Sequence, residues 1–421
     1  MYVTKIELEN IKSFRKFKWE LSNNEDPAGW HVLLGRNGSG KSTFIKSAAV
    51  ALIGPSEAQK SRTTFTDWIK KGEENSFIRV EIMQDPDNDF WAVKGRQNKS
   101  NISYSIKVSN DNTLTKVTRR NDAERTVWNN KKGWFSASYG PFRRFSGGNS
   151  DYQKLFYSSP LLARHLSVFG EDAALTETLE WLKELKFKSL ENSESESAKL
   201  LENITNFINQ DGFLPNEVTM ESISSDGVIF ADAFGVNVNI EDLSDGYRSV
   251  LSMILELIRQ MQHCYGTSDI FDNEYKSVNV PGVVFIDEID VHLHPSWQRK
   301  IGNWLTKHFP KIQFIVSTHS ALICQSATSG SVWQLPDAAQ DNRGKRLTGI
   351  PLNRLLYGNL LEAFSSGAFG SEIERSDKAT QLLEELAELN FLSLDSKLTT
   401  EQQARKDFLS RIFALEPNIK K

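Results

Sequence analysis

Residues 35–42 read Gly-Arg-Asn-Gly-Ser-Gly-Lys-Ser, set between an apolar run of strand length, Trp30–Leu34, and a stretch of helical composition, Thr43–Ile53, that Gly54-Pro55 ends. Strand, glycine loop and helix in that order commit the chain to an α/β arrangement, with a helix N-terminus placed at a strand end. Glycine at 35, 38 and 40 lets the backbone turn its N–H groups onto an anion with no Cβ in the way. Asn37 and Ser39 add their amides to the same cradle. Lys41 is the expected point charge on β- and γ-phosphates, Ser42 the expected hydroxyl ligand of Mg²⁺, and Thr43 reaches toward the α-phosphate. The loop thus predicts a nucleoside triphosphate site, taken as ATP with Mg²⁺.

Further along, Val283–Ile286 is an apolar run typical of a strand buried on both faces, and it ends in the adjacent carboxylates Asp287 and Glu288. Asp287 is expected to hold the Mg²⁺ shell, and Glu288 to polarise an attacking water. Phe314–Val316 repeats the form and delivers Ser317-Thr318-His319-Ser320, with His319 expected to contact the γ-phosphate. Leu243-Ser244-Asp245-Gly246-Tyr247-Arg248-Ser249 opens a helical stretch, where Ser244 and Asp245 are good caps and Gly246 permits close approach to a phosphate. His292-x-His294 invites a metal reading, but no third ligand at suitable spacing supports it, and Pro295 reads as the start of a helix.

The surrounding chain of 421 residues has 39% hydrophobic and 25% charged residues, ordinary for a globular protein with a large core. Two distant cysteines, Cys264 and Cys324, read as reduced thiols; with no signal peptide and no apolar run of spanning length, the expectation is a cytoplasmic protein without a membrane partner. Three strands are expected before the loop, at Tyr2–Leu8, Phe17–Leu21 and Trp30–Leu34, and an antiparallel meander follows at Phe77–Met83, Phe90–Val93 and Ile102–Val108. Leu175, Leu179, Leu182 and Leu185 mark a helical insert, broken by the acidic, serine-rich 191–197. Strands return at Val218–Ile223, Val228–Phe234 and Val236–Ile240, and helices close the chain at Ile373–Leu394 and Thr400–Leu415.

The order of phosphate loop, Leu-Ser-x-Gly, acidic strand end and histidine resembles an ABC-class ATPase. Phe285–Asp290 with His292-Leu293-His294-Pro295, the Asn10-Ile11-Lys12-Ser13-Phe14 opening and Ser317–Ser320 make it similar to the RecF, SMC and OLD group, as does the lack of Pro-Thr after Glu288. The fold implied is an α/β, ABC-type P-loop ATPase head with an antiparallel β insert, a helical insert and C-terminal helices. Its divisions would be an N-terminal ATPase lobe at 1–159, a helical insert at 160–215, a C-terminal ATPase lobe at 216–340 and a helical region at 341–421. In that family two heads sandwich two ATP molecules, so Ser244 and Gly246 of one copy would complete the site built by Gly35–Ser42, Asp287, Glu288 and His319 of the other. Either Gln84 or the segment Ser138–Arg144 is the candidate for the glutamine-loop position.

Long heptads and a nuclease signature are both missing, so the resemblance is to compact heads of prokaryotic antiphage systems, including Septu ATPases that work beside a separate HNH nuclease. This implies a homodimer or higher homo-oligomer, slow regulatory ATP hydrolysis and an effector nuclease in trans. The alternative is a RecF-like DNA-binding ATPase of DNA repair. The formal net charge of −4 argues against a chain that coats nucleic acid through global charge. Residues 94–132 nonetheless hold ten basic against three acidic residues, among them Lys94, Arg96, Lys99, Lys107, Lys116, Arg119, Arg120, Arg125, Lys131 and Lys132. With Trp128 and Trp134 flanking its end, this segment is a candidate for gripping phosphates and stacking on bases.

Overall fold

The computed structural model describes residues 1–22, 25–91, 101–129, 132–143, 158–170, 176–214, 218–224, 227–232, 234–266, 270–272, 274–336, 344–359, 363, 377–394 and 398–413. Lys94, Arg96, Lys99, Lys131, Arg144 and Leu175, and the Ala92-Val93 end of one expected strand, lie outside them. The chain divides into two compact units, Met1–Ala368 and Phe369–Lys421.

The first unit is built on an antiparallel sheet and a mainly parallel one. β1 (Tyr2–Ile11), β2 (Phe14–Glu20), β4 (Asn75–Met83), β5 (Ile102–Ser109) and β6 (Leu114–Lys116) pair antiparallel in the order β2-β1-β4-β5-β6. Their alternation of buried and exposed residues is the period-two pattern of a sheet with one face on the core. The second sheet runs β14-β13-β3-β12-β11-β7, from β3 (Gly29–Leu34), β7 (Ser136–Tyr139), β11 (Gly282–Ile286), β12 (Ile312–Thr318), β13 (Gly330–Gln334) and β14 (Lys345–Arg346). β13, β3, β12, β11 and β7 are parallel neighbours, and β14 pairs antiparallel with β13. Every residue of β3, β11 and β12 is buried, as continuous apolar runs require.

Helix α1 (Lys41–Ile53) begins with polar residues, but from Ala48 to Ile53 it is apolar all round and wholly buried. It shares one core with Val3, Ile6 and Leu8 of β1, Ile78 of β4, and Phe285 and Ile315 of the parallel sheet. A buried amide also bridges the two sheets. Gln313 Oε1 accepts from Val3 N and its Nε2 donates to Val3 O, each at 2.8 Å, beside an irregularity in the β1–β4 register that frees those groups.

The strand expected at Phe90–Val93 is absent over Phe90 and Trp91. Backbone pairing there goes to the 132–134 segment instead: Phe90 N donates to Lys132 O, and Phe90 O accepts from Trp134 Nε1. β6 takes the outer place in the meander.

The inserted helices α2 (Thr176–Glu191) and α3 (Glu196–Ile208) follow the leucine pattern, with Leu179, Leu182 and Leu185 buried. Ser195 in the serine-rich break accepts from Ala198 N at 3.1 Å and caps α3. A three-stranded sheet, β10-β9-β8, comes from β8 (Thr219–Ser224), β9 (Gly227–Ala231) and β10 (Asn237–Asn239). Helix α4 (Asp245–Tyr265) buries Glu256, which accepts from Arg259 and from Thr178 of α2. The first unit also holds helix α5 (Ile301–His308). In the second unit, α6 (Asp377–Leu394) and α7 (Thr400–Phe413) are joined by Arg405 pairing with both oxygens of Glu385.

Candidate nucleotide site

Gly38 and Gly40 take φ of 79° and 96°, the left-handed region that L side chains avoid. At Gly40 a Cβ would also lie 2.6 Å from Phe14 Cζ and from Ser13 Oγ, so the Asn10–Phe14 opening packs directly on the loop. Lys41 Nζ donates to the carbonyls of Gly35 (2.9 Å) and Arg36 (3.1 Å) and stands 3.5 Å from His319 Nδ1. Burial lowers the pKa of this ammonium, while Glu288, Asp287 and Asp290 oppose that effect.

Strand register brings the other groups in. β12 lies between β11 and β3, with Val316 opposite Ile286 and Thr318 opposite Leu34. Residues just past three parallel strand ends therefore collect at one sheet edge, the usual ligand side of such sheets. Asp287, 3% exposed, accepts from Ser317 Oγ at 2.5 Å, and the same hydroxyl accepts from Glu288 N at 2.8 Å. Glu288 has φ of 48°, a costly conformation for a residue with a Cβ and one that functional sites retain. Thr318 Oγ1 donates to Asp290 Oδ1 and accepts from Ser320 N, while Ser320 Oγ donates to Gln298; His319 is thereby fixed from both sides. Burial first, then the charge of Lys41, lowers the His319 pKa, which keeps the ring neutral near pH 7.

Sequence reading did not assign Ser317 its bridging role, nor Arg143 any role. Arg143 is buried; its guanidinium donates to Gly140 O, Asp287 O, Glu288 O and Ser249 Oγ. Their signal in the sequence was position alone, at the ends of strands. Of the two glutamine-loop candidates, Gln84 lies just past β4 of the antiparallel sheet and accepts from Trp91 Nε1, whereas the described part of the other, Ser138–Arg143, begins within β7, the parallel neighbour of β11, and runs on past its end.

Ser244 is the exposed N-cap of α4, and its hydroxyl makes no capping bond. With Gly246 it lines a groove of about 570 Å³ shared with His292, His294 and Trp297. A Cβ on Gly246 would meet His292 O at 3.0 Å. His294 accepts from Ser296 N at the start of the short helix Pro295–Gln298, and no cluster of three metal-ligating residues occurs among the described residues.

The donor set fits a Mg²⁺–triphosphate group. Ser42 opens α1 beside the cradle, the buried Asp287 carboxylate and Ser42 hydroxyl are hard oxygen ligands, and Ser39 Oγ is buried with no partner inside the loop.

The basic segment fares differently. Lys116 is spent on Glu124, Asn121 and the Arg120 carbonyl, Arg125 lies over Trp91, and Lys132 over Phe90. Trp134 is 1% exposed, and Trp128 donates its indole N–H to Ala51 O while packing on Gly54. Trp134 belongs to the core and offers no face to a base, whereas Trp128 is half-buried against that core. Neither cysteine is a reactive thiol: burial raises both pKa values, and Cys264 donates to Gly133 O. No described helix is long and apolar enough to cross a membrane.

The "Septu protein PtuA" of Bacillus mycoides is 26% identical over 337 residues, covering 79% of this chain and 40% of that protein. The chain thus spans well under half of that relative's length. The "Retron Ec83 probable ATPase" of Escherichia coli is 25% identical over 468 residues, covering 96% of this chain and 82% of the relative. The SMC head domain from Thermotoga maritima superposes with a TM-score of 0.42 at 13% identity, over 83% of this chain and 99% of that one. Residues 31–325 match the family described as "AAA domain, putative AbiEii toxin, Type IV TA system", and since this span is well over half of its length, the chain belongs to that family.

Proposed function

We propose that this chain is an ATPase of the antiphage-defence kind, which binds Mg²⁺–ATP, pairs with a second copy around it and controls a partner effector, a nuclease in trans. The observation that carries the chemistry is the convergence of Lys41, Asp287, Glu288 and His319 on one sheet edge at the mouth of the glycine loop. Lys41 and the loop amides hold the phosphates, and Ser42 with Asp287 holds Mg²⁺, which supplies charge neutralisation of the transferred phosphoryl group. Glu288 orients water, and neutral His319 offers a ring N–H to the γ-phosphate while its other nitrogen faces Lys41. The exposed Ser244 and the half-buried Gly246, at a helix N-terminus, suit contact with a nucleotide held by another copy.

The defence role rests on the Septu and retron names of the relatives, and slow hydrolysis suits a clamp that reports nucleotide state. A RecF-like repair role has no observation in its favour beyond the basic segment, where Lys116, Arg125 and Lys132 are already engaged. The experiment is nucleotide binding and size analysis of the purified chain. Glu288→Gln should retain ATP and accumulate a dimer, and Lys41→Ala should not bind; normal turnover by the Gln variant overturns the assignment. Co-purification of a nuclease from the native host supports the effector, whereas phage resistance restored by this chain alone refutes it.

A further inference from the structure

Arg143 is 5% exposed and makes all its hydrogen bonds to carbonyls and a hydroxyl. Burying a guanidinium is costly unless its donors are satisfied, and neutral packing of similar volume is often as stable. Burial here lowers its pKa to about 10 against the pull of Asp287, Asp290 and Glu288. What the charge secures is therefore a geometry.

Three elements meet on it. Nη1 bonds Gly140 O (3.0 Å), just past β7, and Asp287 O (3.1 Å), just past β11. Nη2 reaches Glu288 O (3.4 Å), and Nε donates to Ser249 Oγ (3.0 Å) in the opening turns of α4, the helix that Ser244 and Gly246 begin. The held peptide is the strained one: Glu288 at φ 48° starts a tight turn in which Val291 N donates to Glu288 O. A left-handed residue is strained and persists only where its surroundings over-determine it.

We propose that Arg143 is a positioning residue that ties the Glu288 backbone to the N-terminal turns of α4, so that Glu288 takes its working place when that helix is seated. This rests on the reading of Glu288 as the water-orienting group. Displacing Ser249 by movement of the α4 N-terminus pulls on the same guanidinium that braces Glu288. Contact at Ser244 and Gly246 is in this way linked mechanically to hydrolysis.

The test uses the full chain with Arg143→Ala, Arg143→Lys and Ser249→Ala. Arg143→Ala should bind ATP within about twofold of the unmodified chain, lower kcat by about tenfold or more, and regain part of it when guanidinium ion is added. The lysine variant, unable to reach four acceptors, should stay impaired, and Ser249→Ala should lose about threefold or more in kcat at unchanged ATP affinity. Amide exchange at Ile289 and Val291 should quicken in all three without nucleotide. Unchanged kcat with unchanged exchange, or equal losses of kcat and ATP affinity without rescue, overturn the proposal. Should Arg143→Ala fail to fold, Ser249→Ala decides by the same readouts. If the unmodified chain does not hydrolyse ATP, the ATPase reading fails, and exchange at 289 and 291 still decides the role of Arg143.

Discussion

Ser317→Ala removes one oxygen that serves two partners. The hydroxyl donates to Asp287 Oδ1 at 2.5 Å and accepts from Glu288 N at 2.8 Å, and Ser317 and Asp287 are 0% and 3% exposed. A hydrogen bond to a charged group contributes about 1.5–3 kcal/mol, and a buried N–H left unpaired costs about 1–3 kcal/mol. Their neighbourhood makes the terms overlap, so we expect about 3 kcal/mol of lost stability. For the Met1–Ala368 unit, at about 2.1 cal/mol/K of unfolding entropy per residue, this is a fall in Tm of about 4 °C. The functional effect is separable: ATP affinity in EDTA should hold, because the glycine loop is untouched, whereas Mg²⁺-dependent turnover should drop about tenfold or more. Ser317→Thr, which keeps the hydroxyl, should recover turnover. Differential scanning calorimetry with and without Mg²⁺–ATP, beside steady-state kinetics, measures both. A Tm within about 1 °C of the unmodified chain together with full turnover would refute the reasoning.

Gly40→Ala and Gly38→Ala separate backbone strain from steric conflict. Both incur about 1–2 kcal/mol for positive φ, but only Gly40 has a neighbour inside van der Waals contact, so its variant should lose ATP binding far more severely in a nucleotide titration. Acidification should destabilise the fold through two buried, neutral histidines. Burial pushes His31 down to about 4 and His165 to about 3, so below the ordinary value of 6.5 the unfolded chain binds protons that the folded chain refuses, and stability falls as pH drops. At pH 5 each should cost about 2 kcal/mol relative to pH 8, and urea midpoints across that range should show the loss shrink when His165 is replaced by Gln. Arg119→Glu with Arg120→Glu should leave DNA binding unchanged in a salt titration, since Trp134 is buried and the Trp128 indole N–H is already taken by Ala51 O; a clear loss would restore the nucleic-acid reading.

The elements were legible wherever local chemistry fixed them. Apolar runs became fully buried strands, leucine spacing became the faces of α2, and Ser195 capped the helix after the serine-rich break. Phe90–Val93 misled because an apolar alternation says nothing of where its backbone partners lie, and there they lie in the 132–134 segment. Trp134 misled for a related reason: a tryptophan beside basic residues looks the same in sequence whether its face is bare or packed.

By itself the sequence determined the glycine loop, because a cradle, its lysine and the serine proposed to ligate magnesium are consecutive residues whose chemistry needs only a strand before and a helix after. It also named Asp287, Glu288 and His319 as strand-end groups. Only the tertiary structure decided that they meet: β12 must sit between β3 and β11, in a register that sets Thr318 opposite Leu34 and Val316 opposite Ile286. The same long-range packing turned Ser317 into a bridge and buried Arg143 among three elements, since bonds spanning more than a hundred residues, such as Arg143 to Ser249, leave no local pattern to read.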